Sequence, residues 1–348
     1  MTNDLMTSDL TTLRHVMNLR DLGEFGLIRR IRERMTPTDP ALIRGIGDDV
    51  AVVDRGRKAL LVTTDILIED IHFERTWTDP ALLAKKSLVV NLSDIAAMGG
   101  TPKYFLISLG LPQGLSWSFI ASFYRGLKQA ASQFHVDLIG GDTSLSRRIV
   151  INICLLGEGT KKKLLYRNGA RVGDLIFVSG TLGDAALGLK FLQRGGGKAG
   201  PKRLMSKHLL PVPRIELGHA LAEKGWATSM IDVSDGLLID ASHLLEESHV
   251  GGLIREDQVP LSRLYRKWIG SFARDPYQFA MSGGEDYELL FTAPARHREK
   301  ILQLGSSLKV PVSCVGEIRP RREGFHILGK KGRISSPRRL GFEHFMKR

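Results

Sequence analysis

Apolar and polar positions follow two different periods along this chain, which predicts an alternation of helices and strands. Asp21–Met35 repeats its apolar residues at helical spacing and predicts an amphipathic helix. Asp79-Pro80 is a cap and first-turn pair and Gly99-Gly100 is a stop signal, so residues 80–98 are predicted to form one helix. The other elements predicted for this half are a helix over Trp117–Phe134 and strands over 51–53, 59–64, 104–109, 136–139 and 149–156.

The second half of the chain mixes the same two kinds of element. The predicted strands span residues 174–179, 228–232, 287–292 and 312–318, and the predicted helices span 184–193, 213–224, 237–248 and 297–304. Because strands and helices do not alternate strictly, the order favours an α+β fold over a doubly wound sheet.

The length of 348 residues predicts two domains, at roughly 150 residues per domain. We place the boundary at the basic stretch Lys161–Lys163, before a glycine-rich region. The predicted division is a polar extension over residues 1–20, an N-terminal domain over 21–160 and a C-terminal domain over 161–348.

The composition is ordinary for a globular protein, with 43% hydrophobic and 25% charged residues, which excludes disordered and collagen-like chains. No run approaches the ~20 apolar residues that span a bilayer, and the start of the chain lacks the pattern of a signal peptide. We therefore expect a cytoplasmic protein without a membrane partner. Cys154 and Cys314 are too few for a disulfide framework or a four-sulfur zinc site.

The net charge of +13 allows binding of nucleic acid, an anionic membrane or anionic small molecules. The basic residues crowd into four segments with few aromatic residues between them: 29–34, 161–163, 319–322 and 330–339. This distribution favours solvated surface over a groove for nucleic acid.

Several familiar motifs are absent or incomplete. The run Gly195–Pro201 lacks the ending of a P-loop, Gly45-Ile46-Gly47 lacks the third glycine of a dinucleotide fingerprint, and no G-x-S-x-G elbow occurs. Gly180–Gly183 opens a predicted helix and could bind a phosphate, but we favour a tight turn between strand and helix.

Carboxylates instead recur beside glycine and hydroxyl residues at predicted turns. The segments are GIGDD (45–49), TTD (63–65), NLSD (91–94), GGDTS (140–144), DVSDG (232–236) and GGED (283–286). Asp65, Asp142 and Asp232 directly follow strand-like runs, and Asp94 interrupts an apolar helix, where an unpaired carboxylate is costly to bury.

Carboxylates gathered at one place repel each other unless cations neutralise them. Oxygen ligands suit Mg²⁺, which typically also binds substrate phosphates. The pattern therefore predicts a site with several Mg²⁺ ions that receives a polyphosphate. Each aspartate taken alone could equally be a helix cap or a turn residue.

The chain resembles the thiamine-monophosphate kinase family, whose superfamily includes aminoimidazole ribonucleotide synthetase, selenophosphate synthetase and a hydrogenase maturation protein. The matching segments run in family order from about residue 20 to the C-terminus. They are GIGDDVAVV (45–53), TTDILIEDIHF (63–73), KSLVVNLSDIAAMGGTPKY (86–104), LIGGDTS (138–144), YRNGARVGD (166–174), VSGTLGDAALGL (178–189), IDVSDGLLID (231–240) and SGGEDYELLFT (282–292). NLSDIAAMGG together with SGGEDYELLFT indicates the kinase branch.

The resemblance implies a two-domain α+β synthetase-like fold. Its N-terminal domain binds ATP and Mg²⁺ and forms a barrel-like dimer interface, and its C-terminal domain is an α/β sandwich. It implies a homodimer that transfers the γ-phosphoryl group of ATP to thiamine monophosphate, a step of thiamine diphosphate biosynthesis. The implied cofactors are several Mg²⁺ ions, with ATP as co-substrate, and no nucleic-acid partner is implied.

The resemblance also implies roles for individual residues. The implied metal ligands are Asp49, Thr63, Thr64, Asp65, Asp94, Asp142, Asp232 and Asp235. The implied ATP contacts are Tyr124, Gly141, Asp142, Arg167 and Ser234, and the implied substrate contacts are His72, Glu285 and Phe342. The resemblance does not decide whether Asp48 binds a metal ion itself or only lies beside the implied ligand Asp49. No catalytic base is expected, because a phosphate with a second pKa of about 6 is already a nucleophile at neutral pH.

Two alternatives stay open from the sequence. A sibling synthetase is one, although the selenophosphate branch uses a reactive Cys or selenocysteine near the N-terminus and the first cysteine here is Cys154. A basic nucleic-acid-binding protein that lost catalysis is the other. The presence of every implied acidic metal position disfavours it, because carboxylates repel a polyanion.

Overall fold

The computed structural model describes residues 18–195, 200–337 and 340–345, without the side chain of Lys331. The chain separates into two units, one of residues 1–36 with 343–348 and one of residues 37–342. Most of the predicted extension 1–20, up to residue 17, lies outside the described residues, as does part of the glycine-rich loop at 195–201.

The smaller unit contains helix α1, Leu19–Arg34, which agrees with the helix predicted there. Asn18 caps it, because its side chain accepts hydrogen bonds from the N–H groups of Arg20 and Asp21 and the Asp21 carboxylate accepts one from the Asn18 N–H. Gly23 interrupts the helix with φ 65°, a conformation that glycine adopts easily.

The larger unit begins with six strands and two helices that surround the first core. In chain order they are β1 (Leu42–Arg44), β2 (Ala51–Arg55), β3 (Lys58–Ile68), α2 (Pro80–Ala97), β4 (Thr101–Leu111), α3 (Trp117–Phe134), β5 (Asp137–Leu145) and β6 (Val150–Thr160).

Seven strands and seven α-helices follow within the described residues. They are β7 (Asp174–Ser179), α4 (Asp184–Gly195), α5 (Lys202–Leu209), α6 (Ile215–Lys224), β8 (Ser229–Val233), α7 (Leu237–Glu247), β9 (Gly251–Arg255), α8 (Arg263–Trp268), α9 (Gln278–Ser282), β10 (Glu288–Pro294), α10 (Arg298–Ser307), β11 (Val312–Arg319), β12 (Phe325–Leu328) and β13 (Ile334–Ser335).

The first sheet has six strands in the order β1-β2-β3-β6-β4-β5, and only β4 and β5 run parallel. Its inner face packs on α2 and α3 through residues such as Leu61, Phe105 and Ile153, which are fully buried. Within the described residues β1 and β5 remain at opposite edges, so the barrel implied by the resemblance is not closed by this chain's own strands.

The second sheet has seven strands in the order β13-β12-β9-β11-β7-β10-β8, and only β12 and β9 run parallel. Phe177 and Phe291 stack across β7 and β10 with ring centroids 5.3 Å apart in its core. Two mixed sheets with helices packed on them confirm the predicted α+β class. None of the described helices is long and apolar enough to cross a membrane.

Helix α2 connects the two sheets. It packs against β3 and β6 of the first sheet and against α6 and β8 of the second half. The approach to α6 is close enough to require glycine, because a Cβ on Gly218 would lie 2.0 Å from the carbonyl oxygen of Ala96. This contact brings polar residues of α2 next to the carboxyl end of β8.

Candidate active site

Four aspartates from separate segments lie close together where α2 passes between β3 and β8. Asp94 is on α2, and burial raises its pKa well above the usual range. Three neighbouring carboxylates raise the pKa of Asp94 further, those of Asp65, Asp232 and Asp49. Since the interaction between charges falls with distance, these four groups, here called the aspartate cluster, share one region of the molecule.

The pKa values of the other members of the aspartate cluster are also raised. Burial and then the charge of Asp49 raise the pKa of Asp232 to about 8, and burial raises the pKa of Asp65 to about 6. Without a cation, the cluster therefore holds protons near neutral pH that ordinary aspartates have lost.

Neighbouring side chains fix the orientation of the cluster. The Thr63 hydroxyl donates a hydrogen bond of 2.5 Å to Oδ2 of Asp94, and the Ser93 hydroxyl donates one of 2.6 Å to Oδ2 of Asp232. The side-chain oxygen of Asn91 accepts a hydrogen bond of 3.1 Å from the Asp65 N–H. Asn91 and Asp94, three residues apart on α2, therefore face β3, and Ser93 faces β8.

Arg167 supplies a positive charge beside the cluster. Its Nη2 lies 2.6 Å and its Nε 3.1 Å from Oδ1 of Asp49, and its main-chain N–H donates a hydrogen bond of 3.3 Å to Oδ1 of Asp48. Burial, and then the charge of Asp49, raise the pKa of Asp48 to about 7. Asp48 therefore faces Arg167 from the same turn as Asp49.

The loops 232–236 and 283–287 join into one platform. The N–H of Glu285 donates a hydrogen bond of 2.7 Å to the Ser234 carbonyl, and the N–H of Tyr287 donates one of 2.8 Å to the Val233 carbonyl. The N–H of Phe342 donates one of 3.0 Å to the carbonyl of Asp235. The sequence prediction assigned Ser234, Asp235, Glu285 and Phe342 to one site, and the structure places them side by side.

Glu285 is already paired inside the protein. Lys86 Nζ lies 2.6 Å and His208 Nδ1 lies 2.8 Å from Oε2 of Glu285. Although burial favours the neutral acid, the charge of Lys86 and the contact with His208 hold the pKa of Glu285 well below its usual range. Glu285 is therefore a carboxylate at neutral pH.

His72 lies in the turn after β3. Its Nδ1 accepts a hydrogen bond of 3.1 Å from the Ile68 N–H, and the ring is half-buried. The adjacent Phe73, with Trp77, lines a small cleft that Lys86 and His208 also line. The segment of His72 therefore adjoins the partners of Glu285.

Four predicted residues lie away from the aspartate cluster. The Thr64 hydroxyl donates to the Ile153 carbonyl and points to the opposite face of the first sheet from Asp65. Gly141 and Asp142 are on the exposed edge strand β5, which β4 and β6 separate from β3. At about 4.8 Å per strand, Asp142 is roughly 14 Å from β3. Tyr124 is on α3 and lines a groove of about 570 Å³ with His135 and Leu138.

The cluster offers oxygen ligands from several directions without forming a complete cage. Among the described residues, no three His, Cys, Asp or Glu side chains are placed to hold one ion. One buried oxygen, Oδ2 of Asp49, has no hydrogen-bond partner within the described part of the chain. The donor set fits Mg²⁺, because Mg²⁺ takes one or two carboxylates and completes its shell with water and phosphate.

Sequence reasoning missed several residues of this region. Lys86 and His208 were not predicted, although a lysine within the apolar helix of Asp94 is itself a signal. Asp240, whose carboxylate accepts hydrogen bonds from the N–H groups of Asp235 and Gly236, carried a similar signal in the apolar run LLID. Asp240 therefore stabilises the turn that precedes α7.

The glycine-rich turn at 180–183 is a structural turn, as favoured from the sequence. Asp286 occupies the start of α4, because its carboxylate accepts hydrogen bonds of 2.6 Å from the Gly183 N–H and 3.2 Å from the Ala185 N–H. Those donors are therefore not available to a phosphate.

Two family models match most of the chain. The model for the N-terminal domain of AIR synthase related protein matches residues 47–158, and the model for its C-terminal domain matches residues 171–329.

Curated relatives match over nearly the full length. Thiamine-monophosphate kinase of Aquifex aeolicus is 37% identical over 331 residues, covering 94% of this chain and 100% of that protein. Thiamine-monophosphate kinase of Haemophilus influenzae is 38% identical over 330 residues, covering 93% of this chain and 98% of that protein.

Solved structures share the fold. AaThiL complexed with AMPPCP and TMP aligns with a TM-score of 0.82 and 36% identity, covering 95% of this chain and 99% of that chain. A chain of a HypE–HypF complex aligns with a TM-score of 0.73 at 18% identity, which shows a common fold alone.

Proposed function

This chain belongs to the thiamine-monophosphate kinase family, and we propose on that premise that it transfers the γ-phosphoryl group of ATP to thiamine monophosphate, giving thiamine diphosphate and ADP. The observation that carries the proposal is the aspartate cluster, which brings together carboxylates from four separate segments beside the platform of Glu285 and Phe342. A reaction that uses ATP also agrees with the cytoplasmic location expected from the sequence.

The proposed metal ligands are the cluster residues with Asp235 and, from the sequence, Thr63, Thr64 and Asp142. The unpartnered Oδ2 of Asp49 and the raised pKa values of Asp94 and Asp232 support a cation there, since a cation relieves the repulsion that now keeps protons on these groups. Mg²⁺, when bound, would neutralise charge on the phosphates during transfer.

The protein's own side chains would position the two substrates and reduce the repulsion between their phosphates. The acceptor phosphate needs no base, because it is largely dianionic at neutral pH. Its main obstacle is the approach of two anions, and the guanidinium of Arg167 at the edge of the cluster reduces that repulsion. Glu285, His72 and Phe342 would hold the thiamine part of the substrate on the platform.

We propose that ATP extends toward the first sheet. Tyr124 and the strand of Gly141 and Asp142 border the groove between α3 and β5, which is large enough for a nucleoside. The adenosine end would lie at the groove and the phosphates near Ser234, with Gly141 and Asp142 between the groove and the aspartate cluster.

We also propose that the chain forms a homodimer through a barrel-like interface. Every residue of β5 is exposed, and large apolar side chains lie open on β5 and β4, among them Ile139 (54%), Tyr104 (48%) and Leu138 (43%). Such an edge and face are typical of surfaces that another chain covers. Sedimentation should give the mass of a dimer, and Ile139→Asp should reduce it to a monomer; a monomeric wild-type protein would contradict this part.

The two domains are part of the same proposal. Residues 21–160 would bind ATP and Mg²⁺ and form the dimer, and residues 161–348 would supply the second half of the site. The two family matches and the two separate sheets support a division near residue 160.

Product formation tests the proposed function directly. Purified protein with Mg²⁺, ATP and thiamine monophosphate should form thiamine diphosphate and ADP in equal amounts, as quantified by chromatography. Asp142→Asn is the comparison, and turnover by the wild-type protein no greater than that of this variant would defeat the proposal.

A further inference from the structure

Lys86 is a lysine inside the protein, with 3% of its side chain exposed. An ammonium group at such a position is costly unless a carboxylate neutralises it. Its nearest acid is Glu285, 2.6 Å away and almost two hundred residues later in the chain. The pair therefore joins α2 to the platform of the second half.

His208 of α5 adds a second contact to the same oxygen. Its side chain is also 3% exposed, and its Nδ1 lies 2.8 Å from Oε2 of Glu285. Burial, and then the charge of Lys86, lower the pKa of His208, so the imidazole is neutral at physiological pH. The trio of Lys86, His208 and Glu285 is therefore close to electrically neutral.

The other carboxylate oxygen of Glu285 remains available. No hydrogen bond to Oε1 arises within the described residues, and a quarter of the Glu285 side chain is exposed. The backbone of Glu285 has φ 68°, a left-handed conformation that is uncommon for a residue with a side chain. Its N–H bond to the Ser234 carbonyl holds that conformation.

We propose that Lys86 and His208 are positioning residues that hold Glu285 as a carboxylate with Oε1 directed toward the thiamine part of the acceptor substrate. This rests on the proposed function. Thiamine monophosphate offers a permanently cationic ring and an amino group, and an ionised carboxylate recognises both. Oε2 is taken by the protein, so the substrate meets one fixed oxygen.

The test separates substrate recognition from folding. In Lys86→Met, Glu285 loses its buried cation, and we expect the KM for thiamine monophosphate to rise about 10- to 100-fold, while the KM for ATP and kcat change little. His208→Asn should raise the same KM by a smaller factor. Lys85→Met, at the neighbouring and more exposed position of α2, is the matched control and should leave all three constants unchanged.

A double variant keeps the proposal falsifiable if Lys86→Met is poorly folded. Lys86→Met with Glu285→Gln removes both buried charges, so it should recover thermal stability while the KM for thiamine monophosphate stays high. The proposal would be overturned if the double variant had the wild-type KM for thiamine monophosphate. It would also be overturned if Lys86→Met raised the KM for ATP by a similar factor. Absence of thiamine diphosphate with the wild-type protein would instead defeat the proposed function itself.

Discussion

The aspartate cluster and strand β5 carry the same kind of residue in opposite surroundings. Asp232 is buried and Asp94 is half-buried beside other carboxylates, and the pKa values of both are raised, whereas Asp142 on β5 is exposed. Asp232 and Asp142 were both predicted at the ends of strands, and both lie within strands, yet their physical situations differ. In the cluster a cation would relieve the repulsion between carboxylates, whereas in the single chain Asp142 is in contact with solvent.

Replacing a cluster carboxylate should have the largest effect on activity. Asp94→Asn keeps the shape and removes the charge that a cation would meet, so we expect turnover to fall roughly 10²–10³-fold, in line with the loss of one electrostatic contact to a transition state. Initial rates of ADP release measure it.

The control for that variant is an exposed aspartate far from the cluster in the fold. Asp257→Asn lies in an exposed turn after β9 and should retain the rate of the wild-type protein. Equal losses in both variants would remove the distinction between buried and exposed carboxylates.

The metal-free protein should lose stability as the pH rises. Folding raises the pKa of Asp232 to about 8 and of Asp48 to about 7, from 3.8 in the unfolded chain. The folded state therefore holds protons that the unfolded state has lost, and this advantage disappears as the pH passes the folded values. From pH 6.5 to 8.5 the free energy of unfolding should fall by roughly 3 kcal/mol.

Urea denaturation with a chelator present measures this pH dependence. The range lies above the usual pKa of histidine, so the carboxylates dominate it. Asp232→Asn cannot titrate and should show a shallower decline. A stability that rises over this range in the wild-type protein would contradict the shared burial of these groups.

The smallest effect on stability is expected at β5. Because Asp142 is exposed, Asp142→Asn should change the free energy of unfolding by no more than ~0.5 kcal/mol, although it should raise the KM for ATP. Thermal unfolding of the metal-free variant measures the first quantity. A large destabilisation would show that Asp142 takes part in the fold.

Much of the fold was predictable because local signals and packing agree. The cap at Asp79 and the stop at Gly99 define α2 almost to the residue, and α3 follows its apolar period. Strand β5 was predicted over 136–139 but spans Asp137–Leu145, since GGDTS is a turn-like sequence that extended pairing with β4 overrides. Helix α5 and strands β9, β12 and β13 were missed, because they are short and depend on tertiary contacts.

The site was predictable where a residue type conflicts with its surroundings. Asp94 in an apolar helix indicated the cluster. Asp65 and Asp232 were predicted to follow strands but lie within β3 and β8, both of which pack against α2. The pairing of Lys86 and His208 with Glu285 could not be derived in the same way. Lys86 and His208 meet it only through the packing of α2 and α5, and no spacing in the sequence encodes those contacts.

Proton release on Mg²⁺ binding reports directly whether a cation replaces protons in the aspartate cluster. Calorimetric titration of the metal-free protein at pH 7, in two buffers of different ionisation enthalpy, gives the number of protons displaced by the cation. We expect measurable proton release from the wild-type protein and less from Asp232→Asn, because Mg²⁺ displaces protons from the cluster. Mg²⁺ binding that releases no protons, or the absence of Mg²⁺ binding both with and without ATP, would contradict it.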